Sequence, residues 1–324
     1  MTPDLSIIVV NWNGGEFLQR CLDSIAQFPP TVPYEVIVVD NASTDGSREM
    51  LQAHKEVRLI ANAENLGFGR ANNQGFAASN APLLFLLNSD AEVHQGAIDK
   101  LIATIREDEK IGAVGPRLIN TDGSLQPSVF RNPLTPFEMT VTALGLHQLL
   151  PRRLRANLLL GFHWDHSERR SVQMLSGAAL LVNRKVIDDV GGFDESFHMY
   201  GEDNEWALRI VRAGWFLLFD PEATVLHHSG KSTANRWTDL EKRKRVYEGF
   251  FRMQRLHFSR THAVANLLTG YGLSLIRQAW LTLRRQPLEE ARLVRRLYKD
   301  ELWNFLSRKK RIAEVPPQIA KRSL

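Results

Sequence analysis

Five apolar residues in succession, Leu83-Leu84-Phe85-Leu86-Leu87, run directly into Asn88-Ser89-Asp90. An unbroken apolar run of this length suits a strand buried on both faces, as in a parallel sheet covered by helices. The polar corner then places Asp90 where such a strand leaves the core. In open α/β sheets, ligands bind outside the carboxyl ends of the strands. A hard divalent cation carrying a diphosphate would find oxygen ligands at that edge. Asn-Ser-Asp is also ordinary turn composition, so the corner needs support from elsewhere in the chain.

The preceding residues repeat one pattern. Strands are expected at 5–10, 35–39 and 57–61, with helices at 16–27, about 46–53 and about 69–79. Asn11-Trp12-Asn13-Gly14-Gly15 and Asn41-Ala42-Ser43-Thr44-Asp45-Gly46-Ser47 read as loops, the second rich in helix-capping residues. Strand and helix alternate through the first 110 residues. That implies βαβ units, right-handed crossovers and a mainly parallel α/β sheet. No Gly-x-Gly-x-x-Gly turn follows the first strand, which disfavours a dinucleotide fold, and no Gly-x4-Gly-Lys-Ser/Thr loop is present.

Residues 126–170 are irregular, with four prolines and basic Arg152, Arg153 and Arg155, and read as a partly helical insertion or lid facing an acceptor. Residues 175–182 form a buried strand in which Gly177 and Ala178 permit close approach of a ligand or backbone. A helix is expected from about 203 to 213, with strands at 215–219 and 224–226, the last leading into His227. The expected division is a catalytic domain over 1–240 and a basic helical region over 241–324.

Charge separates these parts. Residues 241–324 carry 20 Lys/Arg against 7 Asp/Glu, whereas residues 1–240 carry 21 against 29. A tail of that sign suits an anionic membrane surface, nucleic acid, or simply solvent. Few aromatics interleave the basic residues, so nucleic acid ranks below a membrane. Residues 263–283 are apolar but interrupted by Asn266, Arg277 and Gln278, which suits an interfacial helix better than a spanning one. The start, Met1-Thr2-Pro3-Asp4, lacks the pattern of a signal peptide. The single cysteine, Cys21, excludes an internal disulfide, and a cytoplasmic setting, with peripheral attachment to the inner face of the membrane, is expected.

Acidic or imidazole groups stand at four of these junctions: Asp40, Asp90, the pair Glu202-Asp203 and His227. One carboxylate could serve as a general base toward an acceptor hydroxyl. Asp90 could hold a divalent cation that screens charge on a diphosphate leaving group. A helix cap is the plain structural alternative for Glu202-Asp203, and a satisfied surface residue the alternative for His227.

Taken together, these stretches resemble the family 2 nucleotide-sugar glycosyltransferases of GT-A fold, most closely the bacterial rhamnosyltransferase-like branch. The residues that carry the likeness are Ser6 to Asn13, Val38 to Ser47, Asn65 to Asn73, Leu87-Asn88-Ser89-Asp90, and Gly177 to Leu181. They continue with Gly191-Gly192-Phe193-Asp194-Glu195, Gly201 to Trp206, and His227-x-x-Gly230-x-Ser232. The resemblance implies an inverting transferase that uses a nucleoside-diphosphate sugar, dTDP-rhamnose or a UDP-sugar, Mg²⁺ or Mn²⁺, and a glycan or lipid-linked acceptor. It implies that Val10, Asn11 and Asp40 hold the base and ribose, and that Asn65, Gly67 and Asn72, with Asn88 and Ser89, line the donor site. Asp90 and His227 become metal ligands; Asp203 becomes the base, with Glu202 competing. Asn88 stands where the family motif Asp-x-Asp has its first Asp, which keeps an oxygen but removes a charge. A catalytically silent sugar-nucleotide sensor and a nucleotidyltransferase are the alternatives. The latter is disfavoured because Asn11 to Gly15 contain no Lys or Arg.

Overall fold

The computed structural model describes residues 2–129, 135–159, 161, 164–197, 199–228 and 237–307. These form two compact units. One takes its residues from Met1–Arg131 and Leu159–Arg236, the other from Asn132–Leu158 and Trp237–Leu324.

The first unit begins β1 (Leu5–Asn11), α1 (Gly15–Gln27), β2 (Tyr34–Asp40), α2 (Ser47–Ala53), β3 (Val57–Ala61), α3 (Phe68–Ala78) and β4 (Leu83–Asn88). It continues with β5 (Ala91–Val93), α4 (Ala97–Ile105), β6 (Ile111–Ile119) and β7 (Leu125–Gln126). After the excursion into the second unit come β8 (Arg170–Val172), β9 (Ala179–Asn183), α7 (Arg184–Val190), α8 (Glu202–Arg212) and β10 (Phe216–His227).

The sheet order is β3-β2-β1-β4-β9-β6-β10-β5, with β7 on β6 and β8 on β10. The first four strands are parallel, as the alternation of the sequence required. Beyond β4 the sheet becomes mixed: β9 runs antiparallel to both β4 and β6, while β6 and β10 are parallel. Two reversals in succession return β6 and β10 to the direction of β4. The carboxyl ends of β1, β2, β4, β6 and β10, and the start of β9, therefore share one edge.

Burial drives this arrangement. Ile7, Phe85, Leu87 and Leu181 pack one face against Leu18 and Ile25 of α1 and Leu101 of α4, while Ile8 and Ile37 face the other way. Gly75 of α3 lets that helix close on the second face: a Cβ there would lie 2.5 Å from Ile8 Cγ2. Cys21 is wholly buried among the first set.

Two expectations need adjustment. The two short strands at 215–219 and 224–226 are one strand, β10, with a register irregularity between Asp220 and Thr224. Buried Asp220 holds that irregularity by accepting from Thr104 Oγ1 (2.5 Å), Arg169 Nη2 (3.0 Å) and the Glu222 N–H (2.9 Å). The nine-residue strand β6 was not anticipated, because its glycines, Pro116 and Arg117 interrupt the apolar alternation.

The second unit contains α5 (Pro136–Ala143), a 3₁₀ turn (Leu146–Leu149), α6 (Arg152–Leu159), α9 (Asp239–His257), α10 (Arg260–Leu283) and α11 (Glu289–Ser307). Most of the segment read as an insertion thus groups with the C-terminal helices. Capping boxes open α5 (Thr135 with Glu138) and α9 (Thr238 with Glu241). Its core is Met139, Phe251, Leu267, Val294 and Tyr298. Asn266, which interrupts the apolar run of α10, is buried and donates to Gln254 Oε1 at 2.9 Å. Among the described residues, no helix is long and apolar enough to cross a membrane.

Candidate active site

Where β4 ends, the Asn88 N–H donates to the carbonyl of Ala178 at 2.9 Å, just ahead of β9. Ser89 and Asp90 turn the chain, and β5 returns antiparallel to β10 with Ala91 opposite His227. The His228 N–H donates to the Asp90 carbonyl at 2.9 Å. This register brings two side chains 137 positions apart together: His227 Nε2 lies 3.2 Å from Asp90 Oδ1. Asn88 Nδ2 is also 3.2 Å from that nitrogen.

Gln126 orients the imidazole. Its amide donates to Asn120 Oδ1 (2.9 Å) and to the His227 carbonyl (3.3 Å), leaving Oε1 facing His227 Nδ1 at 2.7 Å. An amide oxygen only accepts, so Nδ1 carries the proton. Nε2 then faces two groups with opposite demands. The Asn88 amide asks for a lone pair, whereas the Asp90 carboxylate asks for a positive partner. Burial opposes ionisation of Asp90, but the hydrogen bond and charge of His227 outweigh it and hold the carboxyl below its ordinary value. A cation between Oδ1 and Nε2 would satisfy both. The pair is a partial ligand set: among the described residues no group of three His, Cys, Asp or Glu could hold a metal. That suits an ion that completes its shell with water and substrate phosphates, and a nitrogen ligand is more at home on Mn²⁺ than on Mg²⁺.

The second carboxylate enters from α8. Glu202 and Asp203 open that helix behind two residues with positive φ, Tyr200 (69°) and Gly201 (105°). The Phe193 loop anchors the helix. Trp206 Nε1 donates to the Gly191 carbonyl at 2.9 Å, and the rings of Phe76, Phe193 and Trp206 all touch one another. Asn73 pins the loop to α3, donating to the Phe193 carbonyl and accepting its N–H, both at 2.9 Å. Asp203 accepts from the backbone N–H of Asn204 and from that of Gly177. Gly177 precedes Ala178, whose carbonyl holds Asn88. Asp203 is thus bonded to Gly177 and Asn88 to Ala178, so Asp203 and Asp90, two residues beyond Asn88, belong to the same edge of one unit.

The two acids of α8 differ. Glu202 is 7% exposed, and its Oε2 has no hydrogen-bond partner among the described residues. Burial, then the charge of Asp203, pushes its pKa from 4.5 to about 8. Burial also raises Asp203, although backbone N–H groups oppose the shift. Asp203 therefore ionises first, and Glu202 stays protonated at neutral pH. Because the folded chain holds that proton above the unfolded value, Glu202 makes stability fall as pH rises from about 4.5 toward 8. Glu202→Gln is expected to remove this loss. Melting curves should show the variant gaining on wild type through that window; a gap independent of pH would contradict the assignment.

The expected donor-site residues divide. Val10 lies opposite Asn88 in the sheet register, and Asn11 opposite Asp40. Ser89 and Asp90 are buried in the turn beside them. Asp40 is fully buried, and its oxygens are taken by the protein itself. Asn11 Nδ2 (3.0 Å), the Ser43 N–H (3.2 Å) and Arg48 Nε and Nη2 (3.2 and 3.0 Å) all donate to them. Arg48, whose side chain is 32% exposed, carries this network toward solvent; the sequence reading missed it. Asn11 Oδ1 has no partner among the described residues, and only a glycine fits beside it, since a Cβ on Gly14 would lie 2.3 Å away.

After β3, Asn65 Oδ1 accepts the N–H of Gly67, which has a φ of 89°. Asn72 is buried and donates to the Phe68 carbonyl at 3.0 Å. Both bonds help to shape the loop. Asn41 ties it to β2 by donating to the Gly67 carbonyl at 3.1 Å. Gln126, which sets the tautomer of His227, carried no sequence signal: it is a lone amide 101 positions from its partner. Gly230 and Ser232 lie outside the described residues.

Comparison with known proteins gives a consistent result. A family model described as glycosyl transferase family 2 matches residues 6–191, and one described as glycosyl transferase family group 2 matches 148–294. The N-acetylglucosaminyl-diphospho-decaprenol L-rhamnosyltransferase of Mycobacterium tuberculosis is 34% identical over 249 residues, covering 72% of this chain and 78% of the relative. The low-salt glycan biosynthesis hexosyltransferase Agl10 of Haloferax volcanii is 28% identical, covering 65% and 63%. Among solved structures, the mannosyltransferase PcManGT from Pyrobaculum calidifontis, in complex with GDP-Man and Mn²⁺, superposes with a TM-score of 0.54 at 16% identity. It covers 96% of this chain and 89% of that one. GalNAc-T7 with UDP, GalNAc and Mn²⁺ gives 0.57 at 17% identity, covering 95% and 56%. Both likenesses are of fold, and the fold is GT-A.

Proposed function

The chain belongs to glycosyl transferase family 2, and we propose that it transfers a sugar, with inversion, from a nucleoside-diphosphate donor to a hydroxyl of a lipid-linked saccharide. L-Rhamnose, carried on dTDP, is the donor sugar favoured by the Mycobacterium tuberculosis relative, whose name also supplies the acceptor class: an N-acetylglucosaminyl diphosphate on a polyprenol. The product would serve cell-surface polysaccharide synthesis. The observation that supports a transferase rather than a silent sensor is that two buried acids share this edge, Asp203 bonded to the Gly177 N–H and Asp90 beside His227, two residues beyond the Asn88 that is bonded to Ala178.

In this reading Asp203 takes the proton of the acceptor hydroxyl, which then attacks the anomeric carbon from the face opposite the nucleotide. The Gly177 N–H holds the Asp203 carboxylate toward that edge. Glu202 stays neutral beneath it and spares the pocket a second negative charge. Asp90 and His227, with Asn88 after rotation of its amide, would hold Mg²⁺ or Mn²⁺. When bound, that ion supplies positive charge for the departing diphosphate. The residues from Val10 to Gly15 and from Asp40 to Arg48 would receive the base and ribose, with Arg48 as the group that reaches outward.

The basic region over 241–324 is assigned to the anionic surface of the membrane that carries the acceptor, and not to nucleic acid. The test is a donor panel of dTDP-rhamnose and UDP-sugars with Mn²⁺, read first as thermal stabilisation. A ligand at 100 times its Kd adds about 2.7 kcal/mol. Transfer to a synthetic prenyl-diphosphate N-acetylglucosamine follows. A stabilising donor that is transferred supports the proposal; binding of donor with neither transfer nor hydrolysis would favour the sensor.

A further inference from the structure

The C-terminal unit carries a second site that the transfer chemistry does not use. Two adjoining cavities on α11 share Tyr271, Lys299 and Asp300. One, of about 320 Å³, is also lined by Arg292, Arg295 and Arg296. The other, of about 400 Å³, is lined by Leu302, Trp303 and Leu306. Helical spacing explains the arrangement: positions 292, 295, 296, 299, 303 and 306 fall on one face of α11, cationic in its first half and apolar in its second. The opposite face, with Ala291, Val294 and Tyr298, is buried in the core of this unit.

The four cations crowd one face of the helix. Some basic residues of the unit have carboxylates: Arg243 and Arg277 pair with Glu290, and Arg255 pairs with Glu301. Among the described residues, Arg292, Arg295, Arg296 and Lys299 form no ion pair. Like charges at i,i+3 and i,i+4 destabilise a helix, and the single carboxylate that lines the two cavities, Asp300, leaves the four cations in excess. The apolar half is equally unpartnered: Trp303 is 71% exposed and Leu306 55%. Tyr271 also lies one helical turn from Leu275, which with Ile276, Trp280 and Leu283 forms an exposed apolar stripe on α10. No acidic residue occurs from Arg260 to Arg285.

An acidic protein segment would satisfy the arginines but not the apolar continuation. An amphiphile satisfies both. Arginine forks match phosphate oxygens, and exposed tryptophan beside basic residues is the composition of a helix lying in a membrane interface. We infer that this cleft holds the phosphate of a membrane lipid among Arg292, Arg295, Arg296 and Lys299, with the lipid chain running along Trp303 and Leu306. The inference rests on the reading of the C-terminal region as membrane-apposed and gives that reading a specific site.

The test is co-sedimentation of the full chain with vesicles of phosphatidylcholine alone, with added phosphatidylglycerol, or with an added prenyl diphosphate. Arg292→Glu/Arg296→Glu/Lys299→Glu is compared with Lys242→Glu/Arg284→Glu/Arg285→Glu, an equal charge change elsewhere in the same unit. Each basic residue at an anionic surface is worth about 1 kcal/mol, so losing three contacts should weaken partitioning roughly 100-fold or more. The comparison variant should lose at least about tenfold less. Trp303→Ala/Leu306→Ser, whose charge is unchanged, should also lose partitioning, with its melting temperature retained. Binding to phosphatidylglycerol vesicles identifies a bilayer phospholipid as the ligand, and binding only to the prenyl-diphosphate vesicles identifies the acceptor lipid; either fits the site. Equal losses in both triple variants would remove the site while leaving membrane attachment standing. Wild-type protein that ignores every vesicle would remove both.

Discussion

Asp90→Ala is expected to abolish stimulation by Mn²⁺ and to lower kcat/KM by at least about 100-fold, the low end of what one electrostatic stabiliser at a developing charge is worth. The carboxylate is 2% exposed, and it is the only acidic group within ion-pair distance of His227 among the described residues. Its removal leaves the imidazole held by Gln126 and Asn88, so the corner keeps its shape while losing its negative charge. The fold should survive, since the imidazole keeps both of its amide partners. Circular dichroism confirms the second point, and a Mn²⁺ titration of transfer tests the first. A titration curve that matches wild type would place the cation elsewhere.

Asp203→Asn is expected to cost roughly 10²–10⁴ in kcat, the usual contribution of a general base. The substitution is nearly isosteric, and Asn Oδ1 can still accept the Gly177 N–H, so the helix start and the donor edge should be retained. Because burial raises the Asp203 pKa, the acid limb of wild-type kcat should fall above the ordinary carboxylate range. The variant should lose that limb along with its rate. Glu202→Gln, by contrast, removes a group already neutral at neutral pH and should keep most of the turnover. If Glu202→Gln were the inactive variant and Asp203→Asn the active one, the two roles would have to be exchanged.

Much of this architecture was legible in the residues. The apolar run at 83–87 announced a strand buried on both faces, and Asp90 was legible as the polar residue at its end. The alternation of strand and helix through 110 residues left few options besides a parallel first half. What was hidden depended on contacts between distant residues. Pro116 and Arg117 disguised β6, and the irregularity at Asp220 split one strand into two apparent ones. Gln126 and Arg48 act on His227 and Asp40 only after folding, and nothing in their local sequence marks them. The resemblance implied that Asp40 holds base and ribose; the bonds its carboxylate accepts from Asn11, Ser43 and Arg48, which brace the loops on either side, were not legible. The bonds by which Asn65 and Asn72 shape their loop were hidden in the same way.

Calorimetric titration of donor with Mn²⁺ into Asp90→Ala and Asp203→Asn, side by side, tests the division of labour most directly. Asp90→Ala should lose metal-dependent donor affinity, and Asp203→Asn should bind donor like wild type although it no longer transfers. Wild-type affinity in Asp90→Ala, or lost affinity in Asp203→Asn with its fold intact, would contradict that division.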